Sequence, residues 1–207
     1  MTYNDTPNHD YIETEIKFYV PDLQQIEANL IQVGAVCTKP RILEKNVRYD
    51  LPDQQLTNAR RVLRLRQDTQ IRLSYKEPLE RFPAEAFLSR VEVETVVNDF
   101  DAMDSILRHL GYVPYMTYEK YRTTYELAGG EIVLDEMPYG NFVEVEGKAD
   151  QIKQIIHQAG LSNAHHVDAG YVALFRMVKA KLNLTFTDLT FSNFADIVVP
   201  PSLFTEL

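Results

Sequence analysis

Residues 61–76 read RVLRLRQDTQIRLSYK, and two strands are written in them. Leu63 and Leu65 alternate with Arg64 and Arg66; after a turn at residues 68–70, Ile71, Leu73 and Tyr75 alternate with Arg72, Ser74 and Lys76. A period of two, apolar on one face and ionised on the other, predicts a β-hairpin with one side buried. The same signature recurs outward in both directions. Residues 11–20 set Glu13, Glu15 and Lys17 against Ile12, Ile16 and Phe18, and residues 90–97 set Arg90, Glu92 and Glu94 against Val91 and Val93. Residues 119–127 carry Lys120 and Arg122, residues 131–135 end on Asp135, and residues 142–146 set Glu144 and Glu146 against Val143 and Val145. Residues 44–50, EKNVRYD, are a further strand candidate.

Between these strands lie amphipathic helices. PDLQQIEANLIQVGA (21–35) spaces Leu23, Ile26, Leu30 and Val33 helically, with Pro21 near its start and Gly34 past its end; NDFDAMDSILRHLGY (98–112) does the same up to Gly111. Shorter helices are predicted over 150–159 and 168–181. A charged strand with Glu-x-Glu, a helix stopped by Gly and a strand opening with Glu-Lys occur twice in the same order. This is either an internal duplication, implying a pseudo-two-fold axis, or a chance likeness of short β-α-β stretches. Residues 1–10 read as a disordered tail, 11–181 as one domain, and 182–207 as a C-terminal extension without an assigned role.

Composition bounds the function. The chain has 207 residues, 45% hydrophobic and 25% charged, as a single globular domain requires. Its net charge of −9 excludes a protein that coats nucleic acid, which needs a basic surface. No apolar run approaches the roughly 20 residues that span a bilayer, so no membrane partner is expected. With one cysteine and no export signal at the N-terminus, a cytoplasmic location is expected. Cys37 reads as a buried structural thiol and His165-His166 as a surface pair.

The chemistry resides in the ionised faces. They are either a solvated sheet face or the wall of a lumen. The second reading explains why charged residues recur as i, i+2 pairs and why amphipathic helices are available to cover the apolar faces. Many antiparallel strands curl and close, removing their edges. Cations packed in such a lumen need an anion or neighbouring acids to compensate them. Arg64, Arg66, Lys76, Lys120 and Arg122 can grip phosphate oxygens, the arginines bidentately. The pairs Glu13/Glu15, Glu92/Glu94 and Glu144/Glu146 each put two carboxylates on one strand face, Cα atoms roughly 6.5–7 Å apart. Hard oxygen ligands at that spacing suit Mg²⁺ or Mn²⁺.

Taken in order, these motifs resemble the CYTH superfamily, the triphosphate tunnel metalloenzymes. Glu13-Thr14-Glu15-Ile16-Lys17 matches its opening Glu-x-Glu-x-Lys; LRLR with Arg64 and Arg66, RLSYKEP with Lys76, RVEVE with Glu92 and Glu94, EKYR with Lys120 and Arg122, and VLDEMPYGNFVEVEG with Asp135, Glu144 and Glu146 follow. The likeness spans roughly residues 11–180. It implies an α+β fold, an eight-stranded antiparallel β-barrel with helices packed outside. It further implies a small-molecule triphosphate held by the basic residues, and one or two divalent ions on Glu13, Glu15, Glu92, Glu94, Asp135, Glu144 and Glu146. Family members include class IV adenylate cyclases and several triphosphatases. DEMPYGNFVEVEG resembles the cyclase group, which makes ATP conversion to cyclic AMP and pyrophosphate the leading expectation. EKNVRYD also occurs in triphosphatase-like members, so release of orthophosphate is the alternative, and a non-catalytic polyphosphate- or nucleotide-binding module a third. Glu13, Glu15 and Lys17 are the expected catalytic residues, Lys17 as a base or as a phosphate ligand. A homodimer is compatible with the pattern.

Overall fold

The computed structural model of the chain describes residues 12–79 and 88–206; the tail expected at residues 1–10 lies outside the described residues. Nine strands run in chain order: β1 (Ile12–Tyr19), β2 (Val36–Asp50), β3 (Val62–Gln67), β4 (Ile71–Pro78), β5 (Leu88–Val97), β6 (Val113–Leu127), β7 (Gly130–Met137), β8 (Gly140–Glu146) and β9 (His165–His166). Six helices are interspersed: α1 (Leu23–Gln32), α2 (Gln55–Asn58), α3 (Phe100–His109), α4 (Ala149–Gln158), α5 (Tyr171–Leu182) and α6 (Ser202–Thr205).

The strands follow the order β5-β4-β3-β2-β6-β7-β8-β1, all antiparallel, and β5 pairs back onto β1 to close an eight-stranded barrel. Closure is shared along one edge of β1. Ile12–Glu15 pair with β5, and farther on Phe18 and Tyr19 pair with His166 and His165 of β9. The histidines read as a surface pair are therefore a short strand that takes over where β5 leaves β1, with the His166 ring edge-on to Phe18.

Exchanging β1 with β5, β2 with β6, β3 with β7 and β4 with β8 maps this strand order onto itself, as a pseudo-two-fold axis requires. The repeated Glu-Lys is out of phase with that symmetry. Glu44 lies directly opposite Lys120 on the inward face, while Lys45 lies opposite Glu119 on the other face. The topology is duplicated; the Glu-Lys likeness is coincidental.

Helix ends carry the chemistry expected of them. The Asp22 and Asp99 carboxylates accept hydrogen bonds from the amides of Gln25 and Ala102, capping α1 and α3. Gly34 and Gly111 sit just past the two helices at φ +83° and +93°, where a side chain would be strained. α1 and α4 bury Ile26, Leu30, Ile152 and Ile155 against the outward residues Ile16, Phe18, Ile132, Leu134, Val143 and Val145. α3 covers Val47, Tyr49, Leu63 and Leu65 with Leu107. Cys37 is exposed, contrary to its expected burial. It lies in the first third of β2, where Val36–Arg41 are exposed.

A third apolar cluster sits differently. The inward row of β1 runs Glu13, Glu15, Lys17 and then Tyr19, and that of β8 runs Glu146, Glu144 and then Phe142. At that end of the barrel Tyr19, Phe142, Met116, Tyr118 and Tyr139 pack with Leu174, Phe175 and Val178 of α5 and with Leu189, Phe194 and Phe204 of the C-terminal segment. The lumen thus changes from charged to aromatic along its axis, and residues 171–206 fill the aromatic end.

Candidate active site in the barrel lumen

The β-strand alternation turns the ionised rows inward around a cavity of about 530 Å³. Among the described residues twelve Lys and Arg side chains line it against eight Glu, an excess of positive charge inside a chain whose net charge is −9. Such a wall focuses a positive potential inward whatever the outer surface carries.

The charges form a connected network. Lys17 Nζ lies 2.5 Å from Glu144, with both side chains buried. Arg122 bonds Glu144 at 2.6 Å and grips Asp135 with Nε and Nη2 at 2.7 and 2.5 Å. Lys120 donates to the same Asp135 carboxylate at 3.0 Å and approaches Glu44 at 3.6 Å. Arg66 bonds both oxygens of Glu94 at 2.9–3.0 Å. Arg64 donates to Tyr118 and Ser74, with Glu92 and Glu94 just under 4 Å away. Lys76 bridges Glu13, at 2.8 Å, and Glu92. Arg72 is held by Asp68 and Glu94 at the hairpin turn.

The proton affinities follow from this wiring. Burial works against ionisation of Glu144, but Lys17 and Arg122 outweigh it and hold the carboxyl well below its usual range. Glu44, likewise penalised by burial, is drawn down to about 2 by Lys120, Arg122 and Arg66. For Lys17, burial favours the neutral amine, yet Glu144 and Glu15 prevail and raise its pKa. Arg122 is raised well above its normal value by Asp135, against burial.

One group of acids lacks such compensation. Oxygens of Glu13, Glu15 and Glu146 lie within 4.8 Å of one another. Among the described residues neither Glu15 nor Glu146 has a salt-bridge partner, and Lys76 serves Glu13 alone within the trio. Burial, then the repulsion of Glu13 and Glu144, pushes Glu146 up to about 9; burial and neighbouring carboxylates raise Glu13 and Glu15 too. Three convergent hard-oxygen donors short of positive charge fit a divalent cation of the Mg²⁺ or Mn²⁺ kind.

The expected site residues therefore separate into two groups. Glu13, Glu15 and Glu146 converge. Glu92, Glu94, Asp135 and Glu144, read together with them as metal ligands, are each engaged by Lys or Arg. Lys17, Arg64, Arg66, Lys76, Lys120 and Arg122 all line the lumen. Sequence reasoning missed Glu44 and Tyr171. Glu44 was visible within EKNVRYD as an inward acid, two positions before Asn46. Tyr171 was not: it comes from α5, lies under the ammonium of Lys17 at 4.3 Å from the ring centroid, and donates its hydroxyl to Asp135 at 2.7 Å.

Comparison with known proteins agrees with this geometry. None of the curated proteins matches the sequence. Among solved structures, a candidate adenylate cyclase from Vibrio parahaemolyticus superposes with a TM-score of 0.68 at 20% identity, over 80% of this chain and 98% of that one. A conserved hypothetical protein from Pyrococcus furiosus gives 0.61 at 22% identity, over 77% and 97%. A candidate adenylyl cyclase from Hippeastrum, described as having a dominant triphosphatase activity, gives 0.58 at 18% identity, over 79% and 95%. At these identities the likeness is one of fold. The family model for the CYTH domain matches residues 11–167, most of the chain, and the protein belongs to the CYTH family.

Proposed function

We propose that this protein is a divalent-metal-dependent triphosphatase that releases orthophosphate from a triphosphate chain bound in the lumen. The observation that carries this reading is the character of the wall. Apart from charged residues, the described residues that bound the cavity are Thr57, Val62, Tyr118, Thr124, Gly170, Tyr171, Val172 and Ala173. Tyr118 is engaged through its hydroxyl with Arg64, and Tyr171 with Asp135. A nucleobase is bound between apolar or aromatic surfaces with a few placed polar groups; a bare phosphate chain asks for this lining of guanidinium, ammonium and carboxylate. The triphosphatase activity described for the Hippeastrum relative supports the same choice. The cyclase reading rests on DEMPYGNFVEVEG and on the Vibrio relative.

Arg64, Arg66, Lys120 and Arg122 would bind the phosphate oxygens, the fork of each arginine fixing orientation as well as charge. Their present carboxylate partners keep the guanidinium groups in place before substrate arrives, so little reorganisation accompanies the reaction. Lys17, with its pKa raised, keeps its proton and serves as a phosphate ligand rather than as a base. Glu13, Glu15 and Glu146 would hold the metal, which supplies charge neutralisation at the phosphates and orders an attacking water. Among the described residues that line the cavity there is no Ser, Cys or His; catalysis is by positioning and electrostatics.

The test is product analysis with inorganic triphosphate, ATP and thiamine triphosphate, each with Mg²⁺ and Mn²⁺. Orthophosphate from inorganic triphosphate is the expected result. Cyclic AMP with pyrophosphate from ATP would replace this reading by the cyclase one. Thermal stabilisation by triphosphate without turnover would leave a binding module.

A further inference from the structure

The wall formed by β2 and β3 holds more cationic and polar capacity than the triphosphate grip uses. Arg48 lies directly opposite Arg64 in the β2/β3 register. Like charges in that position repel, and inside a lumen the repulsion is weakly screened. Arg64 has acidic neighbours; Arg48 forms no ion pair among the described residues, and its buried Nε has no hydrogen-bond partner. The Tyr115 ring, 5.7 Å from the guanidinium, is its nearest compensation. Two positions back on the same strand face, Asn46 is fully buried with both its amide nitrogen and oxygen unpaired. Arg66 Nε, across from Asn46, is unpaired as well. Buried polar atoms are paired in the great majority of cases, so this concentration on one wall asks for a ligand. Arg176, from α5, adds an exposed guanidinium to the same cavity and no carboxylate.

Resting on the triphosphatase reading, we infer that Arg48, with Arg176, forms a subsite for a further phosphoryl group beside Arg64, so that the lumen prefers linear phosphates of four or more phosphoryl groups over triphosphate. An oxyanion between Arg48 and Arg64 turns their cross-strand repulsion into shared attraction, and its oxygens meet donors that now have none. Burial, with Arg64 and Arg176 nearby, lowers the Arg48 pKa, the direction expected of a cation awaiting its anion.

The experiment is calorimetric titration of the full chain in chelator, where turnover is absent, with tripolyphosphate, tetrapolyphosphate, ATP and adenosine 5′-tetraphosphate. Tetrapolyphosphate is expected to bind about tenfold tighter than tripolyphosphate, the scale of one added charge-assisted contact. Arg48→Gln should reduce that ratio to about twofold or less. Arg176→Gln, at an exposed position that leaves folding undisturbed, should reduce it partly. A gain for tetrapolyphosphate alone assigns the subsite to an inorganic chain; a gain for adenosine 5′-tetraphosphate over ATP as well assigns it to a terminal phosphoryl group whatever carries it. Equal binding of tri- and tetrapolyphosphate, or an Arg48→Gln loss falling equally on both, overturns the inference while leaving the triphosphate reading standing. No binding of either phosphate overturns both.

Discussion

Glu15 and Glu146 differ from Glu13, Glu44, Glu92, Glu94, Asp135 and Glu144 in having no salt-bridge partner among the described residues, and that difference makes separable expectations. Glu15→Gln removes a buried carboxylate that costs stability, so the variant should fold with an unchanged or raised melting temperature. Its metal-dependent turnover should fall by about 100-fold or more, as when a ligand environment is broken. Unfolding of the variant would return Glu15 to a structural role. The pH dependence follows from Glu146, whose carboxyl is raised in the folded chain to about 9 from an ordinary value near 4.5. A raised pKa means the stabilising, protonated form is fully present below the unfolded value and is lost as pH climbs through the folded one. Without metal, the melting temperature should therefore decline between about pH 5 and 9. Glu146→Gln or millimolar Mn²⁺ should flatten that slope in differential scanning fluorimetry. Glu44 works in the opposite sense and elsewhere: lowered to about 2, it withdraws stability only as pH falls below the usual carboxylate range. From sequence these acids were indistinguishable, because Glu-x-Glu gives a face and a spacing but not the neighbours across the barrel. Only the pairing of β1 with β8 places Glu146 opposite Glu15 and Glu144 opposite Lys17.

At the scale of strands and helices, most of the architecture was legible. The hairpin at 61–76 forms as β3 and β4, and the helices stopped by Gly34 and Gly111 end where those glycines adopt positive φ. The misreadings have physical causes. β2 and β6 each run 15 residues, longer than the expected 44–50 and 119–127; Val36–Arg41 of β2 are exposed, and Pro40 and Pro114 interrupt the alternation. α5 begins at Tyr171 rather than at 168, and its first residue reaches into the lumen, which helical periodicity does not report. That junction of α5 with β6 and β7 carries a prediction. Asp135 is fully buried and is held by Lys120, Arg122 and Tyr171. Asp135→Ala takes from two buried cations the anion they share, leaving Arg122 with Glu144 and Lys120 with the more distant Glu44, and should destabilise the fold by about 3 kcal/mol in urea denaturation. Tyr171→Phe removes one hydrogen bond and should cost only about 1 kcal/mol. A Tyr171→Phe penalty as large as that of Asp135→Ala would mean that the tyrosine, not the ion pairs, secures this junction.

The whole molecule combines a closed, ionised lumen with an apolar seal at one end, and the seal is made by α5 together with the segment the sequence left unassigned. Residues after 182 show neither helical nor strand period, so nothing in them predicts docking. Their Phe and Leu side chains nevertheless complete a core begun inside the barrel, with Phe204 stacked on Tyr19 and Tyr139 and edge-on to Phe142. Leu189 accepts from Glu119 and donates to Thr117 through its backbone, and the Asp188 carboxylate accepts from the Thr117 amide, which fastens the segment to β6. A lumen open at both ends would let water reach the buried Lys17–Glu144 and Asp135–Arg122 pairs from two sides and weaken their fields. Phe204→Ala opens a cavity in this seal and should cost about 3–5 kcal/mol. In a chain of this size that lowers the melting temperature by about 10 °C. Tripolyphosphate should still raise the melting temperature of the variant, because the side chains that grip it stand on the strands and not on the seal. A variant as stable as the parent would show that the C-terminal segment rests on the barrel without completing its core. A destabilised variant that no longer responds to tripolyphosphate would show that the seal also shapes the grip.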